Sequence, residues 1–430
     1  MKITFIKPNL SELQSRDAMQ PLVFAILAAL TPKNVEIELF DEKIEKIPLD
    51  LKTDLIAMSV ETYTAKRAYN LSRIFRLKGI PVIMGGPHIT LMPEEAKQHA
   101  DSIILGEAER IWPKLLEDFL HHKLKKIYSN SKPIDITHLV CDRNIFRGKK
   151  YLSVLPIQFS RGCNRDCDFC CVKSLVGGGM RYRAVEEVAK DIIASKGKYF
   201  FFVDDNLFTN KKKLVELLKR LIPLKIRWSC QVSIDIAQDD NLLRLMKRSG
   251  CISVFIGFES LSVKNLEYMN KYANISFKDY EELIRRIKSH NILVYGAFVL
   301  GYDADTKDDF KRTLDFAIKN KLFLTNFNLL MPFPKTRLYE RLKSEGRLIY
   351  KNWWIDDKYA YGNSFFITKN MTPKELARGC FEARIQFNSL KSLLYRALDF
   401  KSNTRNINIF LMSNYISRRE ILKKQGIRLG

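Results

Sequence analysis

The sequence predicts two α/β units in tandem followed by a mainly helical tail. Three observations carry this reading. Short, continuously apolar runs recur through residues 1–125 and again through 153–336, each separated from the next by an amphipathic stretch of helical period. A strand that is apolar throughout, without in–out alternation, is buried on both faces, as in a parallel sheet covered by helices. Residues 126–152 are polar, punctuated and aperiodic, which reads as a linker, and residues 337–430 are rich in helix formers. A chain of 430 residues has length for two or three domains, because single cores stop growing near roughly 250–300 residues.

In the first unit the strand-like runs are ITFI (3–6), VEIELF (35–40), DLIAMSV (54–60), PVIMGG (81–86) and SIILGE (102–107), with helical stretches such as 65–79 and 108–120 between them. This is the pattern of a doubly wound, Rossmann-like sheet, whose ligands bind at the carboxyl ends of the strands. The residues there are Ser59, Glu61 and Thr62 after the third strand, Gly85, Gly86 and His88 after the fourth, and Gly106 and Glu107 after the fifth. A glycine pair lets backbone approach a bulky ligand closely. No G-x-G-x-x-G follows the first strand, which argues against a dinucleotide.

In the second unit strands are expected at 155–160, 198–203, 227–233, 252–257, 292–299 and 323–330, giving six βα units. Polar residues again gather at strand ends: Asp204 and Asp205 after the second, Gln231 and Ser233 at the third, Glu259 after the fourth. Each alone reads as a helix cap or a loop residue; their recurrence marks one functional rim. In the tail, the tryptophans at 353–354 and the aromatic run 359–366 suit either a core or the wall of a hydrophobic cavity. Residues 387–400 form a basic amphipathic pattern, suited to covering a core or to lying on a membrane surface.

The decapeptide RGCNRDCDFC (161–170) opens the second unit. Cys163, Cys167 and Cys170 stand in a C-x3-C-x2-C spacing. Three thiolates on one short loop can ligate three irons of a cubane cluster and leave the fourth open for chemistry. A structural zinc site wants a fourth Cys or His, and the one extra candidate, Cys171, adjoins Cys170 and cannot easily reach the same metal.

Eight cysteines, three of them in one loop, fit metal ligation in a reducing compartment better than a disulfide scaffold. No apolar run approaches the ~20 residues of a membrane span, and the start MKITFIKPNL reaches Pro and Asn too soon for a signal-peptide core. A cytoplasmic protein is expected, with the inner face of the membrane as a variant. The formal net charge is +24. It fits a solvated lysine-rich surface or attraction to anionic lipid; without a basic–aromatic stacking pattern, nucleic acid ranks last.

With Phe169 as its aromatic residue, the loop resembles the C-x3-C-x-aromatic-C signature of the radical S-adenosylmethionine (SAM) superfamily. The preceding run VIMGGPHITLMPEEAKQHADSIILGEAE (82–109) is similar to the cobalamin-binding domain of cobalamin-dependent radical SAM enzymes. The resemblance implies a cobalamin-binding Rossmann-like domain at 1–125, a partial (β/α)6 barrel at 153–336 and a helical region at 337–430. It implies three cofactors: a [4Fe–4S] cluster on Cys163, Cys167 and Cys170, SAM, and cobalamin. FVDDNLF (202–208) is similar to the segment contacting the SAM amino group, Gln231 and Ser233 match residues holding its carboxylate, and IGFES (256–260) and FVLGY (298–302) resemble elements around ribose and adenine. LMPFPKTRLYERL (330–342) resembles a P-x-P-G-T segment, with Lys335 in place of glycine. Ser59, Glu61, Thr62, Gly85, Gly86, His88, Gly106 and Glu107 are implied to line the corrin site. Residues 41–46, DEKIEK, lack the D-x-H-x-x-G histidine that ligates cobalt from below, so the lower face is expected to carry no imidazole.

What the resemblance implies for function is reductive cleavage of SAM to a 5′-deoxyadenosyl radical, then cobalamin-dependent methyl transfer to a carbon of a small or lipidic substrate. A flavodoxin, ferredoxin or reductase would donate electrons, and peripheral membrane association fits the basic surface. The alternatives are a cyclase or ring-forming enzyme with the same cofactors and no methyl transfer, and a non-enzymatic cobalamin or SAM sensor.

Overall fold

The computed structural model describes residues 1–430 except 131, 178, 277 and 278. The first sheet contains β1 (Lys2–Lys7), β2 (Glu36–Asp41), β3 (Leu55–Ser59), β4 (Val82–Gly85), β5 (Ser102–Leu105) and β6 (Ile127–Ser129). All pairs are parallel, in the order β2-β1-β3-β4-β5-β6. Successive side chains of β3 face opposite sides: Ile56 and Met58 join one core, Leu55 and Ala57 the other. Both sets are buried, which is why the strand reads as one apolar run. The order reverses between β1 and β3, and that switch opens a crevice at the carboxyl ends.

The linker expected at 126–152 is not wholly a linker. Its residues 127–129 form β6, paired with Ile103–Leu105 of β5. Only Tyr128 of the three is buried, so a short edge strand left no apolar run to detect.

The second sheet is β7 (Val154–Ile157), β10 (Tyr199–Phe202), β11 (Arg227–Val232), β12 (Cys251–Glu259), β13 (Leu293–Leu300) and β14 (Leu324–Leu329), again all parallel. Its order is β14-β13-β12-β11-β10-β7, so β14 and β7 are its two edges and the barrel is partial. Between β7 and β10 a two-residue ladder of β8 (Ser160–Arg161) and β9 (Arg181–Tyr182) closes the base of the cysteine loop.

The tail forms helices at Arg337–Ser344, Pro373–Phe387, Leu390–Ala397 and Ile407–Lys424. Thr372 and Glu375 close a capping box at the start of the second. The aromatic run of the tail is core: Trp353, Trp354 and Tyr359 are fully buried and Phe365 nearly so. Trp353 lies 4.7 Å from Phe365 and, edge-on, 4.9 Å from Tyr63 of the first unit. Tail aromatics therefore weld the two α/β units into one core. No helix among the described residues is long and apolar enough to cross a membrane.

Trp353→Ala removes the central ring of this weld. It is expected to cost about 3–5 kcal/mol, read as a lower urea midpoint at unchanged slope.

Candidate active site

The cysteine loop leaves β8 through Gly162, whose φ is +101° and whose missing Cβ would lie 2.5 Å from the carbonyl oxygen of Gly179. Only glycine fits that turn. The loop is then fastened at several points. Asp168 accepts from the Tyr302 hydroxyl, its N–H donates to the Met269 carbonyl at 3.1 Å, and its carbonyl accepts from the Leu338 N–H at 3.1 Å. Asp166 pairs with Arg337 at 2.9 Å. Side-chain and backbone groups from three distant elements thus hold a segment with no regular structure of its own.

Cys163, Cys167 and Cys170 line one cavity of about 510 Å³. Phe169, Asp205, Gln231, Ser233 and Glu259 line the same cavity, and Cys171 does not. Three thiols opening onto one cavity suit a cluster held by three cysteines with one iron left open. Burial pushes Cys167 and Cys170 up to about 11, with Lys271 working against the rise at Cys167. A coordinated iron would reverse that balance, since a metal-bound thiol is deprotonated.

The tandem aspartates have separate roles because consecutive side chains leave a strand end in opposite directions. Asp205 faces the cavity and accepts from the Gly162 N–H at 3.0 Å. Asp204 faces inward, is 2% exposed and does not line the cavity. It accepts from the Phe159 N–H at 3.1 Å and from the Ser160 N–H and hydroxyl. The structure thus places Asp204, expected at a ligand, as a clamp on the strand leading into the cysteine loop. Burial pushes its carboxyl up to about 6.

Several cavity residues lie outside the expected ligand set. Asn206, within the FVDDNLF segment at the end of the second strand, holds Ser233 from both sides, its amide donating to the hydroxyl at 3.2 Å and its oxygen accepting from the Ser233 N–H at 3.2 Å. Lys271 and Asn274 come from the segment after β12 and belong to no motif quoted above. Lys271 lies 2.6 Å from Glu259, and burial, which would lower its charge affinity, is overcome by that carboxylate. Glu259 sits at φ +64°, a left-handed conformation unusual for a side chain with a Cβ. Gly257 makes room for it, since a Cβ there would lie 2.2 Å from the Glu259 carboxylate. Lys335, where the resembled motif has glycine, adopts φ +65°, so the turn keeps a glycine-like backbone.

At the strand ends of the first sheet most expected contacts are already taken. Gly86 has φ +103°, and a Cβ would come within 2.8 Å of the Val60 nitrogen; the close approach is to the chain itself. Gly85 packs against Ile104, and the Gly106 N–H donates to Thr90 at 2.9 Å. His88 is fully buried, its Nε2 3.2 Å from the Tyr69 hydroxyl and 3.1 Å from Glu95, which also accepts from Trp354 at 3.0 Å. It lines no cavity among those described, because its ring is drawn into the packing between the units. Glu107 accepts from Arg161 and Arg181, each at 2.6 Å, and from the Ile134 N–H at 3.0 Å. Burial would raise its carboxyl, but the two guanidiniums hold it below the usual range. In this structure it is an inter-unit clamp.

Ser59 ends β3 half-buried, Thr62 is buried, and Glu61 pairs with Lys7 at 3.5 Å. Glu61 also lines a cavity of about 170 Å³ with Asn9, Tyr63, Tyr361 and Lys424. In the 41–46 turn, Asp41 accepts from Tyr151 at 3.2 Å and Glu42 pairs with Arg67 at 2.6 Å. Both acids serve structure.

Residues 157–317 match the family model described as the radical SAM superfamily, and residues 21–116 match the B12 binding domain. The chain is 33% identical over 357 residues to the bacteriochlorophyllide d C-12(1)-methyltransferase of Chlorobaculum tepidum, covering 79% of this chain and 77% of that protein. It is 26% identical to the hopanoid C-2 methylase of Rhodopseudomonas palustris, over 77% of this chain and 66% of that one. Among solved structures it is similar in fold to the cobalamin-dependent SAM radical enzyme OxsB with aqua-cobalamin and SAM bound. That likeness has a TM-score of 0.67 at 14% identity and covers 97% of this chain and 72% of that chain.

The two aspartates should separate experimentally. Asp204→Ala orphans buried donors at about 1–3 kcal/mol each, so a clear drop in the unfolding midpoint is expected. Asp205→Ala should leave the midpoint within about 1 kcal/mol of the parent.

Proposed function

The chain belongs to the cobalamin-binding-domain-containing radical SAM family, and on that premise we propose that it is a C-methyltransferase acting on a small or lipidic substrate. The observation that carries the reading is the shared cavity: three thiols open onto the same space as Asp205, Gln231, Ser233, Glu259 and Lys271. The family's cofactors are a [4Fe–4S] cluster, SAM and cobalamin. Bound in this cavity, the reduced cluster would pass one electron to the sulfonium of SAM, breaking a carbon–sulfur bond to leave methionine and a hydrogen-abstracting 5′-deoxyadenosyl radical.

The protein's own part is positioning. Cys163, Cys167 and Cys170 would hold three irons. Asp205 and the Gln231 and Ser233 side chains offer acceptors and donors for an amino acid's ammonium and carboxylate. Lys271 and Arg165 are the cations at that rim. Asn206 keeps Ser233 in place, and Glu259, strained and held by Lys271, presents a carboxylate suited to ribose hydroxyls. Phe169 shields one side from water. An external flavodoxin, ferredoxin or reductase would supply the electron.

Cobalamin belongs to the first unit, whose residues 21–116 match the B12 binding domain. Beyond the ends of β1 and β3, Glu61 lines a cavity with Asn9, Tyr63 and Lys424, while His88 and Glu107 are committed to protein contacts. No step above runs through cobalamin. The names of the two relatives, which specify bacteriochlorophyllide d and a hopanoid, support a small or lipidic substrate here.

Incubation with SAM and a strong reductant is expected to give both 5′-deoxyadenosine and S-adenosylhomocysteine, measured by chromatography. Cys163→Ala, Cys167→Ala or Cys170→Ala should abolish both products and the cluster absorbance. Deoxyadenosine alone would point to ring formation without methyl transfer, and neither product to a sensor. Cobalamin loaded anaerobically should show a cob(II)alamin paramagnetic spectrum without imidazole nitrogen splitting, because no histidine is free at the strand ends; a split spectrum overturns that reading.

A further inference from the structure

The helices 390–397 and 407–424 present a surface unlike the rest of the molecule. Leu390, Leu394 and Leu398 follow one another at four-residue spacing and are 67%, 70% and 56% exposed. Phe400, at 70%, continues the stripe. On the longer helix Leu411, Tyr415, Arg418 and Leu422 share a face at i, i+4, i+7 and i+11, and all stand exposed. Ten of the 24 large hydrophobic side chains exposed among the described residues fall between 390 and 422. Random scatter of single surface apolars does not produce that concentration.

The charges on this segment are as one-sided as the apolar residues. Lys391, Lys401, Arg405, Arg418, Arg419 and Lys423 are exposed. Its two acids are both turned inward. Asp399 is 6% exposed and pairs with Lys288 at 2.8 Å; Glu420 is 7% exposed and accepts from the Ser15 hydroxyl at 2.8 Å. What faces solvent is apolar, cationic or neutral, with no carboxylate.

Loose attachment does not explain the exposure. Arg396, wholly buried, donates to the carbonyls of Leu322, Phe323 and Phe387 and to Asn414, tying both helices to the foot of β14. The longer helix is bonded at its start through Asn406 to Asn291 at 2.7 Å and at its end through Lys424 to Asp17 at 3.0 Å. It is a rigid rod of about 27 Å with one face sealed and the other bare.

We propose that this face docks on an anionic phospholipid bilayer. The leucines and Phe400 enter the boundary between headgroups and acyl chains while the six cations meet anionic headgroups, each worth about fivefold in binding at low salt. Charge complementarity selects the occupant. None of these residues lines the cysteine cavity, so docking is independent of the reaction proposed above.

The test is flotation of the full-length protein with vesicles of phosphatidylcholine alone or of phosphatidylcholine and phosphatidylglycerol at 3:1. Binding is expected only with phosphatidylglycerol, weakened at least tenfold by 0.5 M NaCl. Leu394→Ser combined with Phe400→Ser, and separately Arg418→Gln combined with Arg419→Gln, should each weaken it at least fivefold with an unchanged melting transition. Lys212→Gln, on another exposed helix, should change it less than twofold. Absence of flotation, equal flotation with pure phosphatidylcholine, or insensitivity to both double variants would overturn the proposal. So would a concentration-dependent dimer, seen by light scattering, that Leu394→Ser with Phe400→Ser dissolves, since a second copy would then be the occupant.

Discussion

The carboxylate of Glu107 joins the two halves of the molecule at the point where the candidate site begins. It stands past the end of β5, in the first sheet, and accepts from Arg161 and Arg181, which form the ladder closing the base of the cysteine loop. Arg161 also reaches Glu109 at 2.8 Å, so two acids balance two guanidiniums. None of the four side chains is more than 17% exposed, and charges held this far from water interact with little screening. Removing one carboxylate would leave partly buried cations uncompensated, a loss of roughly 3–5 kcal/mol in comparable networks. The position of the three thiols relative to the first sheet thus depends on electrostatics at the base of their loop.

Above that base, the geometry of the cavity follows from strand ends. The inward turn of Asp204 fixes backbone N–H groups just before the loop, and the outward turn of Asp205 leaves a carboxylate at the cavity. One pleat step separates a structural acid from a candidate binding acid. At β12 the same economy is bought with strain: Glu259 adopts a left-handed backbone, Gly257 clears space beside it, and Lys271 neutralises it. A carboxylate held in this way is pre-organised for a ligand rather than free to search for one.

The tail acts on both units at once. Its tryptophans and tyrosines fill the junction between the sheets, while Arg396 satisfies carbonyls at the amino-terminal foot of the barrel. A cation buried without a carboxylate is costly; here three carbonyls and an amide accept from it, and the ring of Phe387 lies 3.8 Å from its guanidinium carbon. The two carboxylates of this segment, Asp399 and Glu420, are buried as well, which is how it comes to expose cations and no acid.

By itself the sequence determined the two parallel sheets, the helical tail and the identity of the cysteine loop. These follow from local quantities: apolar runs of strand length, helical period, and three cysteines at fixed spacing. It also determined that Asp205, Gln231, Ser233 and Glu259 belong at strand ends, because strand boundaries were legible. Tertiary structure alone decided which strand-end residues face a cavity and which face the protein. Asp204, His88 and Glu107 looked like their neighbours in sequence, yet their partners (Ser160, Tyr69 with Glu95, and Arg161 with Arg181) come from other elements or the other unit. Nor could β6 be read, since an edge strand buries too little to leave a pattern. Hydrophobic periodicity reports burial along one chain segment; the pairing of a polar side chain depends on what another segment brings to it, and only the folded chain supplies that.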